Sequence, residues 1–365
     1  MLFRLIPEVE SHPDTDTEHT ARLFKSSLFD TMKVKIELPA KAVKELHASV
    51  LKHDGYNFKV PGPFPGCIAT IFSRPSEKIV YIEASPKFLT GQNVVGIEDA
   101  HQLTSEIITS ALVRAGLSIS QALAQRVEEG TYELLRADFV AHCDCGSPGR
   151  LHAVMLALRH LAVGTARDVS FYGVDTLYIG QHSRRKSLKI YNKGSELSVR
   201  PIPEGVPNRT KLTSKAQSLL RFEIVLRAEE LKRLGRSDPK ALTAEIARGF
   251  MQRQFDFVTR AGGIIPDLAL ASNLSRACQA KLRAWVLGDT SAFAGSPTTL
   301  ASNRRQVLAT TGIDVASPID AETQRLAVMA VRDVLRDGVG FKAHPKRWEQ
   351  LKKDAEAHGQ GVLRE

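Results

Sequence analysis

The chain has 365 residues, and its 50 Lys and Arg outnumber its 40 Asp and Glu, giving a formal charge of +10. With 43% hydrophobic and 25% charged residues it has neither a disordered nor a fibrous composition. No apolar run reaches the roughly 18 residues of a membrane span, which excludes a helical membrane protein. At about 150 residues per domain, two or three domains are expected. The apolar N-terminus is interrupted too early by Pro7, Glu8 and Glu10 for a secretory signal, so the expected location is cytoplasmic. Four cysteines are too scattered for a disulfide framework. Cys143-Asp144-Cys145 follows His142 but lacks a second ligand pair, and reads as structural. The basic excess favours a polyanionic partner such as nucleic acid.

Residues 1–27 carry no sustained period and read as an arm. Met32 to Leu38 alternates apolar and polar, the mark of a half-buried strand. Helical spacing follows from Pro39 to Lys52, then a hairpin over Cys67–Phe72 and Ile79–Ile82, then a helix from Asp99 to Ala115. The order recurs with a strand at Leu134–Val140, an apolar helix at Pro148–Val163, and strands at Leu177–Gly180, Ser187–Tyr191 and Leu220–Leu226. Two β-α-β-β-like halves (28–130 and 131–235) are therefore expected in an α+β fold with antiparallel sheet. Beyond Gly235 only helical periodicity remains, including segments at Pro239–Arg260, Pro297–Thr310 and Ala321–Arg336. Residues 236–365 are expected to form an all-helical accessory domain that binds DNA.

Several chemistries are absent. Gly91 to Gly96 has the spacing of a phosphate loop, but Ile97-Glu98 stand where Lys and a hydroxyl residue belong. No zincin, nucleophile-elbow or dinucleotide motif occurs, which leaves Tyr, Lys, Arg, Asp and Glu as the available chemistry.

Alternate residues of a strand share a face. Arg136 and Asp138 thus oppose Leu135, Ala137 and Phe139; Arg221, Glu223 and Arg227 oppose Phe222, Ile224 and Leu226. Lys189, Tyr191 and Lys193 are likewise expected opposite Leu188 and Ile190, with Glu196 just beyond. One reading is a solvated sheet face crossed by ion pairs. The other needs these strands to be neighbours, and then carboxylates, cations and a tyrosine meet as metal-assisted phosphoryl transfer to a tyrosine hydroxyl requires. The run Arg184, Arg185, Lys186 and Lys189 abuts the tyrosine, where a DNA backbone would lie.

These segments resemble the replication initiators of filamentous phages, the gene II or CRI family, and more distantly plasmid rolling-circle initiators. The resemblance rests on Asp30-Thr31, Ala84 to Gly96, Leu135 to Asp138, Leu177 to Gly180, Lys189 to Leu197, Leu220 to Glu223 and Leu231 to Gly235. It continues through Ala284 to Asp289, Arg304 to Leu308 and Gly312 to Asp314. It implies an HUH/RRM-like palm and a metal-dependent nickase-ligase that cuts the double-stranded origin through a 5′-phosphotyrosine. The free 3′ end then primes rolling-circle synthesis, and the displaced single strand is religated. The implied nucleophile is Tyr191, assisted by Lys193, and Mg²⁺ or Mn²⁺ is held by Asp138, Glu223 and Glu196. Arg136, Arg184, Arg185, Lys186, Lys189, Arg221, Arg304 and Arg305 are the expected DNA contacts. Origin DNA, single-stranded DNA and a host helicase, single-strand-binding protein and polymerase are the implied partners. Gln92 stands where the family stretch usually has His, so it is kept out of the metal set.

Two rivals are a non-enzymatic DNA-binding repressor, using the helix around Arg304 and Arg305, and a tyrosine recombinase, suggested by His182-Ser183-Arg184-Arg185. The first leaves the charged strands unexplained. The second places its tyrosine far downstream in a helix, unlike Tyr191.

Overall fold

The computed structural model describes residues 28–50, 56–74, 76–163, 168–251, 268–287, 291–316 and 345–362, together with 289 and 325. Its frame is a nine-stranded antiparallel sheet: β1 (Leu28–Glu37), β2 (Asn57–Pro61), β3 (Ile68–Ser73), β4 (Ile79–Ala84), β5 (Glu133–Asp144), β6 (Val169–Tyr172), β7 (Thr176–Ile179), β8 (Lys186–Asn192) and β9 (Leu219–Arg227). The strand order is β2-β3-β4-β1-β5-β9-β8-β7-β6. Each half opens with a long strand and a helix, and the two halves meet where β1 pairs with β5. The α+β class and the antiparallel sheet follow the sequence pattern, but both halves share one continuous sheet and each has an additional strand, β2 and β6.

Alternation divides the sheet into two faces. Met32, Val34, Ile82, Ala137, Phe139, Phe222, Ile224, Leu188 and Ile190 are buried on one of them. Against them pack α1 (Ala40–Val50), α2 (Pro86–Thr90), α3 (Ala100–Arg114), α4 (Gln121–Glu128) and α5 (Pro148–Val163), in one apolar cluster. Burial of this area is the main drive for folding. The opposite face carries the charged side chains.

The strand expected to run through Lys193 ends at Asn192. The Asn192 side chain accepts from the backbone N–H groups of Gly194 and Ser195, capping α6 (Lys193–Val199). Lys193 is therefore the first residue of a helix and does not share the face of Lys189 and Tyr191 by strand alternation. α7 (Arg209–Ala216) leads into β9, which is followed by α8 (Ala228–Arg233).

The chain after Gly235 does not pack as one unit. Leu242, Ala247, Phe250 and Met251 join the core of the sheet. α9 (Arg276–Val286) and α10 (Pro297–Thr311) enclose a separate core of Cys278, Leu282, Phe293, Val307 and Ile313. α11 (Pro345–Val362) then returns to the sheet layer, where Trp348 is fully buried and donates to Glu106 at 2.8 Å. The N-terminal arm and most of the expected helix at 321–336 lie outside the described residues. Among the described residues no helix is long and apolar enough to cross a membrane.

Trp348 ties the last helix to the sheet layer. Trp348→Ala should lower stability by about 3 kcal/mol, the usual cost of emptying a buried aromatic site. Urea unfolding measures it, and an unchanged midpoint would mean that α11 contributes nothing to the sheet's stability.

Candidate active site

Strand register places the polar side chains in two adjacent cross-strand rows. In the first, His142 pairs with Arg221, Arg221 with Tyr191, Tyr191 with Thr176 and Thr176 with Tyr172. In the second, Val140 pairs with Glu223, Glu223 with Lys189, Lys189 with Tyr178 and Tyr178 with Ser170. Directly paired residues project from the same face, so Tyr191, Glu223, Lys189 and Tyr178 are neighbours. The Tyr191 hydroxyl donates to Glu223 at 3.4 Å, and Lys189 Nζ lies 4.1 Å from the centre of the Tyr191 ring.

Arg221 is the node of the first row. It is fully buried, and one guanidinium nitrogen pairs with Asp30 at 2.5 Å. Another donates to the Asn93 carbonyl at 2.6 Å, and Nε lies 3.9 Å from Glu223. Burial opposes its charge, but Tyr191, Asp30 and Glu223 hold it protonated. His142 stays neutral, since burial and then the Arg221 and Lys193 charges push its pKa well down. Burial pushes the Tyr191 hydroxyl well above its ordinary range, with Arg221 pulling down and Glu223 pushing up. The tyrosine is thus a protonated phenol whose hydroxyl points at the Glu223 side chain.

Asp30 reaches Arg221 because β1 is irregular. Phe29 pairs with Phe139 and Met32 with Ala137, so the first strand holds one extra residue across Asp30-Thr31. A bulge of this kind re-aims a side chain. Its signal in the sequence is the three-residue step from Phe29 to Met32, where alternation demands two.

The second contributor is the loop after α2. Gly91 ends that helix with φ +77, and a Cβ there would lie 2.5 Å from both Phe64 and Val206, so only glycine fits. Gln92 is buried. Its side-chain oxygen accepts from the Val94 and Val95 N–H groups at 2.8 Å, and its nitrogen donates to the Val95 carbonyl. Its amide is thereby occupied in shaping the loop. That shape delivers Asn93, whose side chain accepts from Lys193 Nζ at 2.8 Å.

A cavity of about 420 Å³ opens above these residues, lined by Asp30, Lys87, Asn93, Lys189, Tyr191, Glu196 and Glu223 among others. Three of the linings are carboxylates and two are lysines. Lys193 is not among them. It is fully buried and donates to Glu196 at 2.6 Å. Against the effect of burial, Lys193 holds the Glu196 carboxyl below its ordinary value.

The remaining expected site residues fall as follows. Asp138 is removed from the cavity: it is fully buried and bound through both oxygens to Arg136, at 2.8 and 2.7 Å. Burial pushes its carboxyl up to about 8 despite that partner. Among the described residues no three His, Cys, Asp or Glu side chains converge to hold a metal, so Asp138, Glu196 and Glu223 do not form a ready three-ligand set. Arg136 also pairs with Glu83 at 3.0 Å. Arg221, being buried, cannot touch a backbone phosphate directly. Arg304 is held bidentately by Asp314 at 2.7 and 2.6 Å, whereas Arg305 is exposed. Arg184 and Arg185 are exposed, and Lys186 is half-buried. Asp30, Lys87 and Asn93 were outside the expected set.

Residues 64–250, just over half the chain, match the phage CRI family, described as the N-terminal part of a replication-associated protein, and the chain belongs to that family. Among its relatives, the replication-associated protein of Enterobacteria phage I2-2 is 27% identical over 263 residues, which cover 69% of this chain and 74% of the relative. A rolling circle replication initiator protein from Geobacillus stearothermophilus aligns over 58% of this chain and 79% of its own, at 11% identity. Its TM-score is 0.27, too low to support a conclusion.

Burial, and then the nearby Arg221 charge, lower Lys193 to about 8 from an ordinary 10.5. Between those values the folded lysine has lost its proton and the unfolded one keeps it. Unfolding then takes up a proton, so rising pH stabilises the fold. Wild type should therefore gain stability relative to Lys193→Met between pH 8 and pH 10, measured by urea unfolding at both. A constant difference would show that Lys193 titrates normally.

Proposed function

We propose that this protein starts rolling-circle replication by nicking one strand of an origin and later resealing the displaced strand. The single observation that carries this is the buried Tyr191 phenol beside Glu223 on the floor of a cavity lined by Lys87 and Lys189. The lysines would draw in the phosphodiester. Tyr191 Oη forms the new bond to phosphorus as the bond to the 3′ oxygen breaks. The phenolic proton passes to Glu223, and solvent protonates the departing 3′ oxygen. The tyrosine keeps the 5′ phosphate, and attack by a free 3′ hydroxyl in the reverse sense reseals the strand. Lys193 acts through Glu196 as a positioning residue.

The resemblance to phage initiators also implies Mg²⁺ or Mn²⁺. Donor chemistry fits: Glu223 and Glu196 offer carboxylate oxygen to one cavity, and a hard cation of this kind takes one or two carboxylates with substrate phosphate oxygen. We assign the cation to these two acids together with the bound phosphate, with Asp30 left to Arg221 and Asp138 to Arg136. Bound there, it would supply positive charge to the phosphate. Arg184 and Arg185, on the turn before β8, and Lys186, its first residue, would hold the flanking backbone.

Tyr191→Phe should bind labelled origin oligonucleotides within about twofold of wild type yet form no covalent adduct on a denaturing gel, because only the group acting in the chemical step is lost. An adduct with the Phe variant would move the nucleophile elsewhere. Glu223→Gln should slow adduct formation by roughly 100-fold or more, as loss of a general base does. Excess EDTA should stop the wild-type reaction, and full activity in EDTA would remove the metal from this reading.

A further inference from the structure

The first row does not end at Tyr191, and the second does not end at Lys189. Toward the β6 edge they continue with Tyr178 and Tyr172, on the same face as Tyr191. The Tyr172 and Tyr178 rings are 5.4 Å apart in an edge-to-face pair. Lys189 Nζ sits between Tyr178 and Tyr191, at 5.6 and 4.1 Å from their ring centres. Packing does not account for this arrangement, since the far ring, Tyr172, is 53% exposed. Its hydroxyl meets Gln181, across the hairpin, at 3.0 Å, which holds the ring against the sheet. On the reverse face Arg159 lies over the Phe171 ring at 4.5 Å and donates to the Gly173 carbonyl, bracing the same hairpin.

We propose that Tyr178 and Tyr172 form a base-stacking track for the single-stranded DNA that runs from the scissile phosphate at Tyr191 out to the sheet edge. Single-stranded nucleic acid is the occupant this surface fits. Successive aromatic faces suit unpaired bases, every base having a π-face, and interleaved cations suit the backbone. Lys189 lies within the track, and the exposed Arg184 and Arg185 lie on the turn that joins β7 to β8. A duplex offers its phosphates to those cations but keeps its base faces stacked away from the rings. The proposal rests on the nicking reading for its direction, because the track starts at the nucleophile.

The test uses the full chain and a fluorescein-labelled thymidine oligonucleotide carrying 2-aminopurine. Tyr172→Leu should weaken binding of this single strand roughly tenfold and relieve the 2-aminopurine quenching, as loss of one stacked base predicts. Tyr172→Phe, which keeps the ring and loses only the hydroxyl, should bind within about twofold of wild type, and all three proteins should bind a blunt duplex equally. Tyr172 is exposed on an edge strand, so both variants should fold, and circular dichroism checks this. Unchanged single-strand affinity in Tyr172→Leu would overturn the track. So would a Phe variant as weak as the Leu variant, since the hydroxyl contact to Gln181 would then be the cause. Quenching that depends on Tyr172, in a protein that forms no adduct, would support the track and overturn only the nicking reading.

Discussion

The site depends on one buried charge. A guanidinium removed from water costs several kcal/mol unless its donors find partners. Two nitrogens of Arg221 find Asp30 on β1 and the Asn93 carbonyl in the loop after α2, His142 lies beside them, and Nε faces Glu223 at 3.9 Å without a hydrogen bond. These groups come from both halves of the chain. Burying Arg221 therefore requires that β1, β5 and β9 be paired and that the loop be closed over them. The surroundings of Tyr191 assemble as a condition of folding, and the chemistry inherits its geometry from a structural necessity.

The same arrangement tunes the tyrosine. Arg221 favours the phenolate while burial and the nearby acids oppose it, and burial with the acids prevails. The resting side chain is thus neutral, and as the proposed nucleophile it would need a base, the role proposed for Glu223. Asp30 matters here in two ways. Its charge offsets Arg221, and it adds to the field that keeps the phenol protonated. A carboxylate at the bulge is therefore an electrostatic counterweight as much as a lining of the cavity.

Much of this was visible in the residues themselves. Alternation alone identified the charged faces of β5, β8 and β9, and the structure makes these strands neighbours in the order β5-β9-β8. What alternation could not supply was where each strand stops. Lys193 fits the Lys-Tyr-Lys pattern, but Asn192 is also a good helix cap, and the cap prevailed. Asp138 has the residue type of a metal ligand, yet Arg136 two positions away takes both of its oxygens, a local pairing that spacing predicts as readily as ligation. Asp30 stands in a family-like stretch, but alternation gives it no place among the site residues, because a bulge breaks the very period by which strands are read. Tyr178, flanked by Leu177 and Ile179, passes for a packing residue until register places it opposite Lys189.

The two faces of the sheet divide the protein's work. The apolar face meets helices from nearly every part of the chain, including α11, whose Trp348 follows a long excursion through the separate core of α9 and α10. Among the described residues, none of the cavity's lining comes from that excursion. The polar face keeps its charges because a helix layer there would bury them without partners. Where the polar face is covered, by α6 and the loop after α2, Lys193 joins the two covers through Asn93 and Glu196. Toward β6 that cover ends: Tyr172 is exposed, and Tyr178 and Lys189 are half-buried. A surface closed at one end and open at the other would give a bound strand one way out, and Tyr191, the proposed nucleophile, lies at the boundary between the two.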